Sequence, residues 1–359
     1  MKNSWIHIER GKTARQARVG VQDLNEEHVS RRGFFGPVAM LYHEREPANP
    51  TRVEGPLAIR VKPIAQVGGA DEDTESGLPV KLFFNDTLSI ALSDRTEPWP
   101  FLLRNVDADT LIYIHEGEGS IATEFGPLAY EPADYILLPR GVTYRLMPES
   151  RTTALVIESK DEIGFTEHQQ IGRHSPFDFG VLTIPDIVQY DWPAQEEWEL
   201  RLKHGDEFTS NYYAELPFDL VGWKGDYCPL KLNARDIRPI TSERLHLAPS
   251  SWAIFESSGF LCVPFLPMSI VDDMEAEELP SRHRNLDSDE LILIQTVNGL
   301  PANQLGHFPQ GVTHGPTERK AYEVIRKAGM QRMLQGVSID TYQRLQPTEA
   351  FLFGKEQNR

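Results

Sequence analysis

The sequence predicts an all-β chain built from two copies of one antiparallel barrel, with a few short helices. Two observations carry that expectation. Short apolar runs recur between turn residues, and the 26 glycines and 26 prolines are scattered along the 359 residues. Regular turn signals between short strands mark a sandwich or barrel. The chain also repeats itself. Leu103-Arg104-Asn105-Val106-Asp107-Ala108-Asp109-Thr110, followed by Leu111-Ile112-Tyr113-Ile114, returns about 180 residues later as His283-Arg284-Asn285-Leu286-Asp287-Ser288-Asp289-Glu290 and Leu291-Ile292-Leu293-Ile294. Pro139-Arg140-Gly141-Val142-Thr143-Tyr144 likewise returns as Pro309-Gln310-Gly311-Val312-Thr313-His314. No glycine-rich loop follows a strand and opens a helix, which argues against a nucleotide-phosphate cradle.

Taken in order, residues 1–165 read as the first barrel, 166–210 as a linking extension and 211–359 as the second barrel. The polar stretch 67–77 reads as a solvated, mobile loop. Strands are expected at the apolar runs 82–84, 88–92, 135–138 and 154–157. His115-Glu116-Gly117-Glu118-Gly119 has the glycines of a hairpin turn, so His115 is read as a turn residue and not a ligand. Residues 194–202 suit a short surface helix or a charged strand, and His168, His174 and His204 suit the surface. Pro217-Phe218-Asp219-Leu220-Val221-Gly222-Trp223-Lys224-Gly225 sets aromatics among glycines, as in a core or an interface. A helix is expected over 317–329, with Pro near its start and Gly at its end. A last strand, 350–353, would close the second barrel.

The charge balance narrows the function classes. Lys and Arg total 36 against 53 Asp and Glu, a formal charge of −17. That argues against nucleic acid and anionic membrane as partners, since both need basic surface. Two cysteines, Cys228 and Cys262, make no disulfide framework and suit a reducing compartment. The N-terminal residues lack the apolar run of a signal peptide, and no apolar run approaches the ~18 residues of a membrane span. The expectation is a cytoplasmic protein.

The chemistry lies where the two copies differ. Arg-Asn-x-Asp-x-Asp and Pro-x-Gly-Val-Thr persist in both, whereas His283, Glu290 and His314 are replaced by Leu103, Thr110 and Tyr144. Three metal-type side chains changing together points to one working half and one empty half. Glu290 is favoured over Asp289 as the ligand because the empty half keeps that aspartate, as Asp109. Two imidazoles and a carboxylate suit Fe, Mn, Ni or Zn and leave coordination positions open for substrate or dioxygen. Alternation fails between His283 and Glu290, so a bulge or turn is expected between them. Arg282 and Arg284 are candidates for a substrate carboxylate, although Arg284 has a structural counterpart in Arg104.

These motifs resemble the cupins: His-x-Asn-x4-Glu and Pro-x-Gly-x-x-His match the two cupin motifs, with Asn in place of the second His of the first. Two such double-stranded β-helix, or jelly-roll, barrels in one chain make a bicupin. Residues 217–225, His283-Arg284-Asn285, Asp289-Glu290 and His314-Gly315-Pro316 further resemble the homogentisate 1,2-dioxygenase family and its short bacterial relatives. That resemblance implies Fe(II) held by His283, Glu290 and His314, with a small aromatic substrate and dioxygen as partners in a homo-oligomer. It implies extradiol-type ring cleavage of homogentisate or a related hydroquinone or phenolic acid. His246 would act on the substrate hydroxyl, and His307 would be a site-wall histidine. Two other readings compete: a Zn or Mn isomerase or hydrolase, and a bicupin that binds a small ligand without catalysis.

Overall fold

The computed structural model describes residues 8–32, 35–48, 50–168, 171–172, 174–242, 247–268, 275, 282–297, 300–315 and 334–354. Its contacts divide into two compact units. One comprises Ile64–Ile237, Phe255–Gly259 and Leu345–Arg359; the other comprises Met1–Pro63, Arg238–Ile254 and Phe260–Arg344. This division corrects the linear one, because residues 1–63 group with the second barrel and 198–213 with the first.

Two parallel pairings give the physical reason. In the first unit Trp198–His204 lies parallel to Leu102–Asn105, with Arg201 opposite Leu103, and forms a hairpin with Glu207–Tyr213. In the second unit Asn25–Arg32 lies parallel to Arg282–Asn285, with His28 opposite His283, and forms a hairpin with Phe35–His43. The same accessory hairpin thus follows one barrel in the chain and precedes the other by more than two hundred residues. Such a ladder is non-local, so no turn signal announces it.

Each unit is a cupin barrel of antiparallel strands. In the first, a seven-stranded and a six-stranded sheet enclose a core that includes Ile112, Ile114, Ile136, Leu146 and Val156. The strand Asp134–Leu138 is buried along its whole length, which explains its unbroken apolar run. In the second unit Phe260–Phe265, Leu334–Thr341, Asp289–Val297, Leu300–Phe308 and Arg60–Pro63 are neighbours in that order.

The letters kept in both halves hold one loop. Val142 N–H donates to the Pro139 carbonyl (3.1 Å) and Val312 N–H to that of Pro309 (3.2 Å). Gly141 and Gly311, with φ of 82° and 74°, occupy the turn position that requires a positive φ. Gly141 N–H also donates to Asn105 O, and Gly311 N–H to Asn285 O, each at 2.7 Å. Asp109 accepts from Arg140 N–H (2.7 Å) and Asp289 from Gln310 N–H (2.9 Å). Repeated Pro, Gly, Asn and Asp are therefore one clamp, used twice.

Several local expectations change. Residues 350–353 are helical within Glu349–Phe353, where Phe351 is buried with its ring centroid 4.3 Å from that of Phe83. The 67–77 loop is anchored: Asp71 is buried and accepts from Ser93 Oγ (2.6 Å) and Asp94 N–H (3.0 Å). Burial pushes its pKa up to about 6 against the lowering of those bonds. His115 belongs to the strand Asp109–Glu116 and is buried. Of the two readings for residues 194–202, the strand holds, at Trp198–His204. In 217–225 Phe218 packs in a core cluster while Val221 is exposed. The helix expected over 317–329 lies outside the described residues. Among the described residues no helix is long and apolar enough to cross a membrane.

Candidate metal centre

The strand Arg282–Asn285 alternates, burying His283 and Asn285 and leaving Arg282 and Arg284 half-buried. Both arginines are engaged with carboxylates: Arg282 Nε donates to Glu46 (2.7 Å) and Arg284 Nη2 to Glu27 (3.1 Å). Neither lines the cavity described below, so their expected role toward a substrate carboxylate is not supported. Bends at Leu286 and Asp287 break the alternation and bring Glu290 in at the start of Asp289–Val297. His314 reaches the same point because its backbone bridges that of His283, with N–H···O distances of 2.8 and 3.0 Å.

The three side chains are buried, and one potential ligand atom from each lies within 4.8 Å of the others. His314 Nε2 is 2.9 Å from Glu290 Oε2, and His283 Nε2 is 3.4 Å from Oε1. Asn285 Nδ2 donates to Glu290 Oε1. The His314 Nδ1–H donates to the Val312 carbonyl (2.8 Å), so Nε2 is the nitrogen it can offer an ion. Phe308 stacks on its ring at 4.8 Å. Two fixed imidazoles and a carboxylate, drawn together in a buried site, are a donor set that fits a divalent first-row metal.

The electrostatics agree with that chemistry. Burial alone would raise Glu290, yet the charges and hydrogen bonds of His314 and His283 hold it below the usual carboxylate range. Burial alone would lower His314, and Glu290 overcomes this to raise it. Proton and metal ion would therefore compete for the same donor atoms.

Sequence reasoning missed two groups. Asp340 sits opposite Glu290 on Leu334–Thr341, and burial and the Glu290 charge push it up to about 8. His28 is brought beside His283 by the parallel pairing; burial, then the His283 charge, lowers it to about 4. The first barrel offered a signal for Asp340, since Glu158 occupies the matching place opposite Thr110.

The cluster opens on a cavity of about 230 Å³ whose walls include Val263, Phe265, Ile292, Ile294, Phe308 and Leu334. His307 is not among its lining residues. It stands opposite Leu291, one register step from the Glu290–Phe308 pair, and its Nε2 lies 3.0 Å from Asp289 Oδ2. Alternation therefore turns it to the other face of the sheet, away from the cavity. His246 lies outside the described residues.

In the first barrel other side chains occupy the three ligand positions. Leu103 and Tyr144 belong to the hydrophobic core, and Tyr144 shares a side-chain hydrogen bond with Thr110 while burial pushes its phenol up. Tyr144→Phe is expected to leave metal content unchanged and to cost about 1–2 kcal/mol through the orphaned Thr110 hydroxyl. Metal analysis beside thermal unfolding checks this; a loss of metal would mean that the first barrel holds an ion.

Fold and site together define a bicupin with a two-histidine, one-glutamate cluster in one of its barrels. Comparison with known proteins narrows the class. The family described as homogentisate 1,2-dioxygenase N-terminal matches residues 54–234, and the chain belongs to the homogentisate 1,2-dioxygenase family. A provisionally named dioxygenase of Saccharolobus solfataricus is 27% identical over 90% of this chain and 88% of its own. Homogentisate 1,2-dioxygenases of Bradyrhizobium diazoefficiens and Rhodopseudomonas palustris are 26% and 24% identical, over 61% and 80% of this chain. The matches span only 51% and 64% of those two enzymes. Among solved structures, a cupin 2 conserved barrel domain protein from Leptotrichia buccalis aligns over 82% of this chain and 93% of its own, at 8% identity and a TM-score of 0.32.

Proposed function

We propose that the chain is an Fe(II)-dependent, extradiol-type ring-cleaving dioxygenase acting on homogentisate or a related hydroquinone or phenolic acid. The observation that carries this reading is the buried His283, Glu290 and His314 cluster opening on an apolar cavity, in a chain of this family. His283, Glu290 and His314 would hold the iron, which supplies Lewis acidity and the redox chemistry that couples dioxygen to the ring.

The chain's own residues do the rest. Ile292, Ile294, Val263, Phe265 and Phe308 wall the cavity, bind the ring by apolar contact and exclude water. An apolar cavity of roughly 150 Å³ is enough for a benzene ring, so about 230 Å³ admits one substituted ring. Asn285 and the Val312 carbonyl fix Glu290 and His314 in position. His246 is the base we assign to the substrate hydroxyl, as the family resemblance implies. The net reaction breaks one ring carbon–carbon bond and leaves both atoms of dioxygen in the product.

The test is anaerobic reconstitution with ferrous iron, followed by oxygen uptake with homogentisate, gentisate and hydroquinone. One dioxygen consumed per ring with any of them supports the reading. Tightly bound iron without uptake discards these substrates, and activity only with Zn or Mn moves the chain to the isomerase or hydrolase class.

A further inference from the structure

Asp340 faces the cavity from the strand beside the cluster. It stands directly across from Glu290 in the ladder between Asp289–Val297 and Leu334–Thr341 and lines the cavity with Ser338 and Ser250. It is not one of the three residues whose ligand atoms lie within 4.8 Å of one another. It therefore stands on the cavity wall beside the cluster.

The repeat supplies a control built into the same chain. Glu158 has the matching position opposite Thr110 in the first barrel. There the carboxylate accepts from Asn105 Nδ2 (3.0 Å), Ser89 Oγ (3.1 Å) and Lys203 Nζ (2.7 Å). In the second barrel the matching asparagine, Asn285, is turned to Glu290 instead. Among the described residues, Asp340 accepts one hydrogen bond, from Ser338 Oγ (2.7 Å). A carboxyl group left short of partners in an apolar cavity is costly unless a ligand completes it. Both acids face a cavity, but three partners, one of them a lysine, saturate Glu158, whereas one partner leaves Asp340 open.

We propose that Asp340 is a specificity-determining residue that accepts a hydrogen bond from a second hydroxyl of the substrate ring, the first being directed to the His283, Glu290 and His314 cluster. This assignment rests on the ring-binding part of the proposed function. It selects dihydroxylated rings over rings with a single hydroxyl. Ser338 holds the carboxyl in place, and a carboxyl oxygen accepts from O–H whether or not the group is ionised.

The test compares hydroquinone with 4-methoxyphenol, in which the second donor is methylated. Anaerobic calorimetry on the iron-loaded protein measures binding of each, and metal per chain is measured throughout. The parent is expected to favour hydroquinone by about tenfold, the worth of one hydrogen bond to an uncharged group. Asp340→Ala should reduce that ratio to a few-fold with metal content unchanged. Asp340→Asn keeps an acceptor oxygen and should keep most of the preference. An unchanged ratio in Asp340→Ala overturns the assignment, as does a parent that binds neither ring. Loss of metal in both variants also overturns it, because Asp340 would then be positioning Glu290. Selective binding without oxygen uptake leaves Asp340 its role and defeats the dioxygenase reading, so the two failures are told apart.

Discussion

Replacing His314 with alanine is expected to release the metal from a chain that stays folded. Nε2 of His314 lies 2.9 Å from Glu290, and with it gone an ion would keep only His283 and Glu290. The variant should retain almost no iron through dialysis that leaves the parent loaded, and oxygen uptake should vanish with it. Folding survives because Glu290 is not stranded: His283 Nε2 remains at 3.4 Å and Asn285 still donates to it. The cost is about 1–3 kcal/mol, within the about 5–15 kcal/mol stability of an ordinary domain. The same site fixes a pH dependence. Glu290 raises His314 in the folded protein, so in the metal-free chain the stabilisation from that proton is complete below the unfolded pKa. It is lost as pH rises through the raised folded value. Metal must displace the proton, so affinity falls below that raised value by about tenfold per pH unit for each proton released. Chelator competition across pH measures the slope; a flat profile, or full iron in His314→Ala, removes His314 from the ligand set.

Much of this was legible in the sequence, for a reason particular to this chain. A duplicated barrel carries its own comparison, so the concerted change of His283, Glu290 and His314 to Leu103, Thr110 and Tyr144 separates chemistry from scaffold without any other sequence. The retained Asp proved to be a clamp on the Pro-x-Gly turn, as its persistence implied. What stayed hidden depends on pairing between distant segments. His28 reaches His283 through a parallel ladder spanning most of the chain, which no local period encodes. Asp340 shows itself only once the register opposite Glu290 is known. The face taken by His307 depends on that register too, since a shift of one residue would have turned it into the cavity. The helix at Glu349–Phe353 defeated a pattern reading because an apolar run of four has no distinguishable period.

The division between ligand and clamp predicts a contrast between two matched variants, Asp289→Ala and Asp109→Ala. Asp289 is fully buried and holds both the Gln310 N–H (2.9 Å) and His307 Nε2 (3.0 Å). Asp109 is its twin, holding the Arg140 N–H (2.7 Å) and the Ile163 N–H (2.8 Å). Each variant orphans buried donors, so each should lose about 3–5 kcal/mol of stability in its own barrel. Only Asp289 clamps the turn that leads into His314. Asp289→Ala should therefore also weaken metal binding, by about 10–100-fold, as loss of a group supporting a ligand does. Asp109→Ala should leave metal affinity untouched, because Tyr144 fills the place its turn leads to. Glu290→Gln completes the comparison: metal is lost, and stability falls with the His314 pairing that the carboxylate makes. If Asp289→Ala abolished metal binding as completely as Glu290→Gln, with no loss of stability, Asp289 would be a ligand and the order of the two acids would be reversed. If Asp109→Ala lowered metal affinity, the first barrel would not be the inert copy that its Leu103, Thr110 and Tyr144 describe.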